Sequence, residues 1–321
     1  MREEFNKLGH SNSIVKRLLY ICLRVGSVIL PSGRRGAIQA FVCRLIAWKP
    51  RFCRRVRSLG VTAKKRSPRL VVSLTSYPKR IGTVHRTIGT LLTQTLQPDE
   101  VVLWLGEDKF PQKEANLPAR LLKLRKYGLT IRWCRDIRSY TKLIPALRAY
   151  PEDIIITADD DIFYRPNWLE SLYESYLKDP SLIHCHFVDR IAIENGTVLP
   201  YSRWIYIQDR GSVSYRNLLM GVGGVLYPPH ALSEKVFDEE RFMKVAPLAD
   251  DLWFWAMAVL NGVKIKLIKD ALCNAQVDFS ADNSQALCQQ NVYGEHKNDA
   301  QFAAILEAFP PVRERLFQEM C

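Results

Sequence analysis

Three consecutive aspartates, Asp159, Asp160 and Asp161, follow the β-branched run Ile154–Ile156 in the stretch DIIITADDDIFY. Such a run reads as a strand buried on both faces. Adjacent carboxylates at its end repel one another, at a cost of roughly a few kcal/mol per unpaired ion, unless a cation neutralises them. A hard divalent cation, Mn²⁺ or Mg²⁺, takes oxygen ligands and leaves coordination positions open for phosphate. In an extended strand Asp159 and Asp161 point to one side and Asp160 to the other, so two of the three can share a site. The same residues also read as a solvated acidic turn ahead of a helix that starts near Pro166, Asn167 and Trp168.

Other residues could do chemistry. Asp250 and Asp251 precede the aromatic-rich helical run Leu252–Leu260, where a cap needs one carboxylate and two are present. Gly221, Gly223 and Gly224 in MGVGGVLYPP permit either a close backbone approach to a ligand or a tight turn between strands. Tyr201, Arg203, Trp204 and Tyr206 form an aromatic-basic loop suited to stacking on a sugar or gripping an anionic acceptor. Trp253 and Trp255 lie too close in a helix to share a face, which sends at least one into the core. His184 and His186 could suggest zinc, but Leu182, Ile183 and Phe187 around them favour a core strand. His296, in the polar segment NVYGEHKND, reads as a surface histidine or as a further metal or phosphate ligand.

The elements that must position these residues alternate. Leu70–Leu74 is a buried strand ending in Thr75, Ser76, Tyr77, Pro78, Lys79 and Arg80. That ending puts hydrogen-bond donors at the carboxyl edge of a parallel sheet, where open α/β folds bind ligands. A helix is expected over Thr83–Gln94 and a strand over Val101–Leu105. A basic amphipathic helix over Pro118–Lys126, a strand over Leu129–Trp133 and a helix over Ser139–Tyr150 then deliver the chain to the acidic stretch. This βαβαβ rhythm predicts a doubly wound α/β sheet flanked by helices. No G-x-G-x-x-G follows the first strand and no G-x-x-x-x-G-K occurs, so ordinary dinucleotide and P-loop readings lose their support.

Composition divides the chain in two. Of its 321 residues, those from 1 to 69 hold 17 Lys+Arg against 2 Asp+Glu, although the whole chain carries a formal charge of only +13. The remainder is therefore near neutral, which argues against nucleic acid as its partner. Ile14–Leu30 is too short and too charged to span a bilayer and lacks a signal-peptide core. Together with Ala37–Trp48 and the cation run Lys49–Arg57 it fits helices on an anionic membrane surface, with a hairpin packed on the domain or a nucleic-acid arm as the other readings. Thr62–Pro68 reads as a linker, which gives an arm over 1–68 and a domain over 69–321. Eight cysteines without a C-x-x-C pair suggest reduced thiols in a cytoplasmic setting.

The strand VVSLTSYPKR, a lysine on the helix before the acidic strand, ADDD, MGVGGVLYPP and ADDLWFW, in that order, resemble a GT-A glycosyltransferase of the family 2 type, with exostosin-like (family 64) echoes. The resemblance runs from about Arg69 to Ala300. It implies a GT-A mixed sheet and transfer of a sugar from a nucleotide-diphosphate sugar, UDP-linked in the first instance, to a glycan or glycolipid. It also implies that Thr75, Tyr77 and Arg80 cradle the nucleotide, with Lys142 and Asp160 close to it. Asp159 would face ribose and metal, Asp161 would be the direct metal ligand, and a late histidine such as His296 a further one. Asp251 would be the base, with Asp250 as cap or acceptor contact, and Gly223, Gly224, Arg203 and Trp204 would lie on the acceptor side. The chemistry itself asks for these parts, because expelling a diphosphate calls for a Lewis acid and the acceptor hydroxyl for a carboxylate base. Family 2 implies inversion and the exostosin echo retention. Two other classes stay open: a phosphotransferase with an acidic nucleophile, and a non-catalytic membrane-bound scaffold.

Overall fold

The computed structural model describes residues 56, 58–64, 66–206, 210–269, 276–277 and 297–319. The membrane-surface segments of the arm and His296 lie outside the described residues. Apolar β-branched runs form the strands β1 (Leu70–Thr75), β2 (Glu100–Gly106), β3 (Leu129–Cys134) and β4 (Ile154–Thr157). Four shorter strands follow: β5 (Ile183–Cys185), β6 (Val213–Ser214), β7 (Val225–Tyr227) and β8 (Ile265–Leu267). They make one sheet in the order β6-β8-β5-β7-β4-β1-β2-β3. β1 pairs in parallel with both β2 and β4, and β2 with β3, whereas β7 is antiparallel to β4 and β5. The expected mixed sheet flanked by helices is present.

Chain order reverses beside β1: β2 and β3 extend the sheet on one side and β4 on the other. The carboxyl ends of β1 and β4 therefore flank a switch-point crevice, the place where open α/β sheets bind ligands. Antiparallel β7 starts where β4 ends, with Val225 opposite Thr157, so the glycine turn before β7 is carried to the same edge.

Helices cover the sheet: α1 (Val84–Leu91), α2 (Ala119–Leu122), α3 (Ile144–Ala149), α4 (Trp168–Lys178), α5 (Glu239–Val245), α6 (Asp250–Leu260), α7 (Lys297–Ala308) and α8 (Pro310–Gln318). α6 is apolar all round and is the central helix, with Leu252 to Val259 buried throughout. Trp253 and Trp255 are both core residues, their indoles donating to the carbonyls of Val236 and Tyr215.

Three expectations change. Pro118–Lys126 is not one helix but the single turn of α2 followed by a 3-10 segment, Lys123–Tyr127, stopped by Gly128 at φ +108°. Ser139–Tyr150 divides into a 3-10 turn, Arg138–Lys142, and α3; Pro145 in the first turn of α3 has no N–H to continue a helix through Leu143. Thr62–Pro68 does not behave as a free linker. The Gly60 N–H donates to Tyr127 O (2.7 Å), that of Thr62 to Pro98 O (2.9 Å), and Arg66 pairs with Asp99 at 2.7 Å. Pro98, Asp99 and Tyr127 precede β2 and β3, so residues 60–66 run along the amino-terminal edge of the sheet, opposite the crevice.

Candidate active site

β4 ends at Thr157, and the last ladder bond on this side runs from Ala158 N–H to Ser73 O. Asp159–Asp161 therefore form a turn rather than a strand, and the alternation expected of their side chains does not apply. Asp160 turns inward: its carboxylate accepts from Ser76 Oγ (2.6 Å) and from Arg80 Nη1 (2.7 Å), while its carbonyl accepts from Thr87 Oγ1 on α1 (3.0 Å). Arg80 also reaches Asp161 at 3.1 Å. Asp159 accepts instead from Lys142 Nζ (3.0 Å), and its N–H donates to the buried Tyr164 hydroxyl (2.8 Å). Arg80 and Lys142 thus supply part of the positive charge that the sequence called for, and Asp160 pins the turn through Ser76 and Arg80.

Lys142 is the hub. Its backbone is fixed when Ser73 Oγ donates to its carbonyl (2.6 Å), and its ammonium lies between Asp159 and Asp250, at 3.0 and 3.1 Å. Burial alone would lower its pKa, but the charges of Asp159, Asp250 and Asp251 outweigh burial and hold it well above the usual value. Asp250 is buried on this ion pair, whereas Asp251 is partly exposed and accepts the Gly221 N–H at 3.2 Å on each oxygen. Burial, then the charge of Asp250, push Asp251 up to about 7, against the pull of Lys142 and the Gly221 N–H. Burial and the charge of Asp159 push Asp161 up to about 6 in spite of Arg80.

The glycines have separate duties. A Cβ on Gly221 would meet Lys142 Nζ at 2.7 Å and Asp251 Oδ1 at 2.9 Å, so this is the glycine that faces the cluster. Gly223 and Gly224, expected on the acceptor side, lie against packed side chains. Their Cβ atoms would meet Phe187 at 2.0 Å and the Trp168 indole at 2.4 Å, and Gly224 has φ +90°. Trp204 is likewise a core residue, edge-on to Phe302, while Arg203 beside it is exposed. Thr75 Oγ1 donates to Trp104 O (2.9 Å) within the sheet, and the ring of Tyr77, partly exposed, lies under Arg80. His184 and His186 bond to Ser175, Asp179 and Trp168 and are pushed down to about 4 by burial, so they are core groups. Ser76, Thr87 and Tyr164 hold the acidic turn without having been singled out, and only Ser76, beside Thr75, carried a signal.

Among the described residues no group of three His, Cys, Asp or Glu forms a ready metal cage. A Mg²⁺ or Mn²⁺ that shares its coordination with a diphosphate needs only one or two carboxylates. Asp159 and Asp161 fit that role: their side chains are 28% and 15% exposed, and five carboxylates in the cluster face two cations.

No protein-family model matches the chain, and no curated protein matches it in sequence. Among solved structures it is similar to a mannosyltransferase from Pyrobaculum calidifontis in complex with GDP-Man and Mn²⁺, with TM-score 0.48 and 16% identity over 92% of this chain and 80% of that one. It is also similar to S. aureus TarS 1–349, with TM-score 0.43 and 16% identity over 78% and 74% of the two chains. GalNAc-T7 with UDP, GalNAc and Mn²⁺ gives TM-score 0.42 and 14% identity over 74% of this chain and 51% of that one. Likeness at these scores carries no argument about chemistry, which rests on the residues above.

Proposed function

We propose that the protein is a GT-A-type glycosyltransferase that moves a sugar from a nucleotide-diphosphate sugar to a hydroxyl acceptor with inversion. The observation that carries this reading is the buried Lys142 bridging Asp159 and Asp250, which sets the charged acidic turn beside the residue pair Asp250–Asp251 at the switch point. In the transfer, the acceptor oxygen bonds to the anomeric carbon. The bond from that carbon to the diphosphate oxygen breaks, its electron pair leaving on the diphosphate. The acceptor proton passes to the Asp251 carboxylate, whose poise suits a general base. Thr75 and Tyr77 line the nucleotide side, and Arg80 keeps the acidic turn in place. A divalent cation on Asp159 and Asp161 would stabilise charge on the departing diphosphate. A phosphotransferase finds less support, since Phe163 stands where the D-x-D-x-T pattern of that chemistry wants Thr or Val.

The basic arm would hold the enzyme at the cytoplasmic face of an anionic membrane, as a peripheral protein. Among the described residues no helix is long and apolar enough to cross a membrane.

Thermal melts with UDP, GDP or CMP, each with and without Mn²⁺, test the reading. One nucleotide should raise Tm in a Mn²⁺-dependent manner, by an amount equivalent to about 3 kcal/mol at a hundredfold excess over Kd. Asp161→Asn should abolish the Mn²⁺-dependent part while leaving the fold intact. No stabilisation by any pair would overturn the proposal.

A further inference from the structure

Beside Asp251 lies a polar wall that the transfer step leaves unused. Asp189 sits in the central strand of a small sheet, Val188–Arg190, flanked by Ile205–Tyr206 and Asn217–Leu219. The Tyr201 hydroxyl lies within interaction range of the Asp189 carboxylate and the Asn298 amide. Asn298, in the first turn of α7, is 7% exposed, and its Oδ1 has no hydrogen-bond partner among the described residues.

The wall is braced against the candidate base. The Tyr201 N–H donates to Asp299 at 2.6 Å, and Phe302 of the same helix packs on Trp204 and Trp255. Gln301 accepts the Leu248 N–H at 2.9 Å, which ties α7 to the chain three residues before Asp251. Tyr201 is close enough to Asp251 for that charge to act on its hydroxyl. Val222, on the turn that begins with Gly221, is 37% exposed, so the turn that contacts Asp251 carries an apolar side chain at the surface.

We infer that Asp189, Tyr201 and Asn298 form the acceptor subsite, and that it takes the hydroxyls of a neutral sugar rather than a phosphate- or carboxylate-bearing group. This rests on the transferase reading. The Asp189 carboxylate and the Asn298 amide oxygen offer acceptor positions to sugar hydroxyls, and the Tyr201 phenol can turn its one proton from Asp189 to a sugar oxygen. Asp189, Asp251 and Asp299 make the wall negative, so an anionic acceptor would meet like charges at short range. Arg203, exposed two residues after Tyr201, lies outside this group.

Kinetics with the donor identified by melting, and with neutral methyl glycosides or their uronate counterparts as acceptors, test this. Tyr201→Phe should raise the KM for the neutral glycoside about tenfold or more, while the Tm shift produced by the donor stays at its wild-type size. Asp189→Asn should act in the same direction, and it carries the prediction if Tyr201→Phe does not fold. Uronate glycosides should be the poorer acceptors for the wild type. An unchanged acceptor KM in both variants, or a uronate preferred over its neutral counterpart, would overturn the inference while the transferase reading stands. A wild-type protein that neither binds a donor nor releases nucleoside diphosphate would overturn both.

Discussion

Burial and the neighbouring Asp250 push the Asp251 carboxylate up to about 7, and this bears on rate and stability with opposite signs. For rate, only the ionised form accepts a proton. Transfer should therefore rise with pH, by about tenfold per unit well below 7, and level off above it. Asp251→Asn should keep the donor-induced Tm shift and lose transfer by roughly a hundredfold or more. Wild-type rates in that variant would place the base elsewhere. For stability, the folded carboxyl holds its proton more tightly than the unfolded chain does. Its contribution is present in acid and is lost as pH rises through about 7. The wild-type Tm should accordingly fall more between pH 5 and pH 8 than that of Asp251→Asn. Equal slopes would mean that the carboxyl is ionised throughout.

The glycine turn shows how one element divides its work. Gly224→Ala places a Cβ against the Trp168 ring at a positive φ, where the ring cannot retreat because its Nε1 donates to Gly223 O at 2.7 Å. It should cost about 2–4 kcal/mol of stability. Gly221→Ala meets the end of a flexible lysine instead, so urea melts should show a smaller loss while activity falls with the displaced Lys142. Equal losses from both would refute this division. Sequence showed part of the arrangement. β1 to β4 were legible because β-branched runs bounded by turn residues specify buried strands locally. The pairings Arg80–Asp160 and Lys142–Asp250 were not, since they join residues far apart in the chain and no periodicity encodes them. The packing of Gly223 and Gly224 was hidden for the same reason: a glycine kept clear for a ligand and one kept clear for a tryptophan look alike until the tryptophan is placed. Tyr201 drew notice as an aromatic, but its partners Asp189 and Asn298 come from a strand and a helix that only tertiary folding brings together.

At the scale of the whole molecule, residues 60, 62 and 66 are bonded to the domain ahead of Arg69. Deleting residues 1–55 should leave Tm unchanged and release the protein from anionic vesicles at low salt. Deleting 1–68 should cost about 2–4 kcal/mol, because it strips Arg66 from Asp99, whose side chain is 8% exposed, and removes the backbone bonds to Pro98 and Tyr127. A 1–55 deletion that still sediments with vesicles would sink the arm's proposed role. Residues 60, 62 and 66 and the acidic turn stand at opposite ends of β1, whose six residues span about 20 Å. At physiological salt that is more than twice the roughly 8 Å over which exposed charges act on one another. Charge changes at the Arg66–Asp99 pair should therefore lower Tm without moving the pH at which transfer levels off, and a shifted profile would mean that the two ends of the strand are coupled.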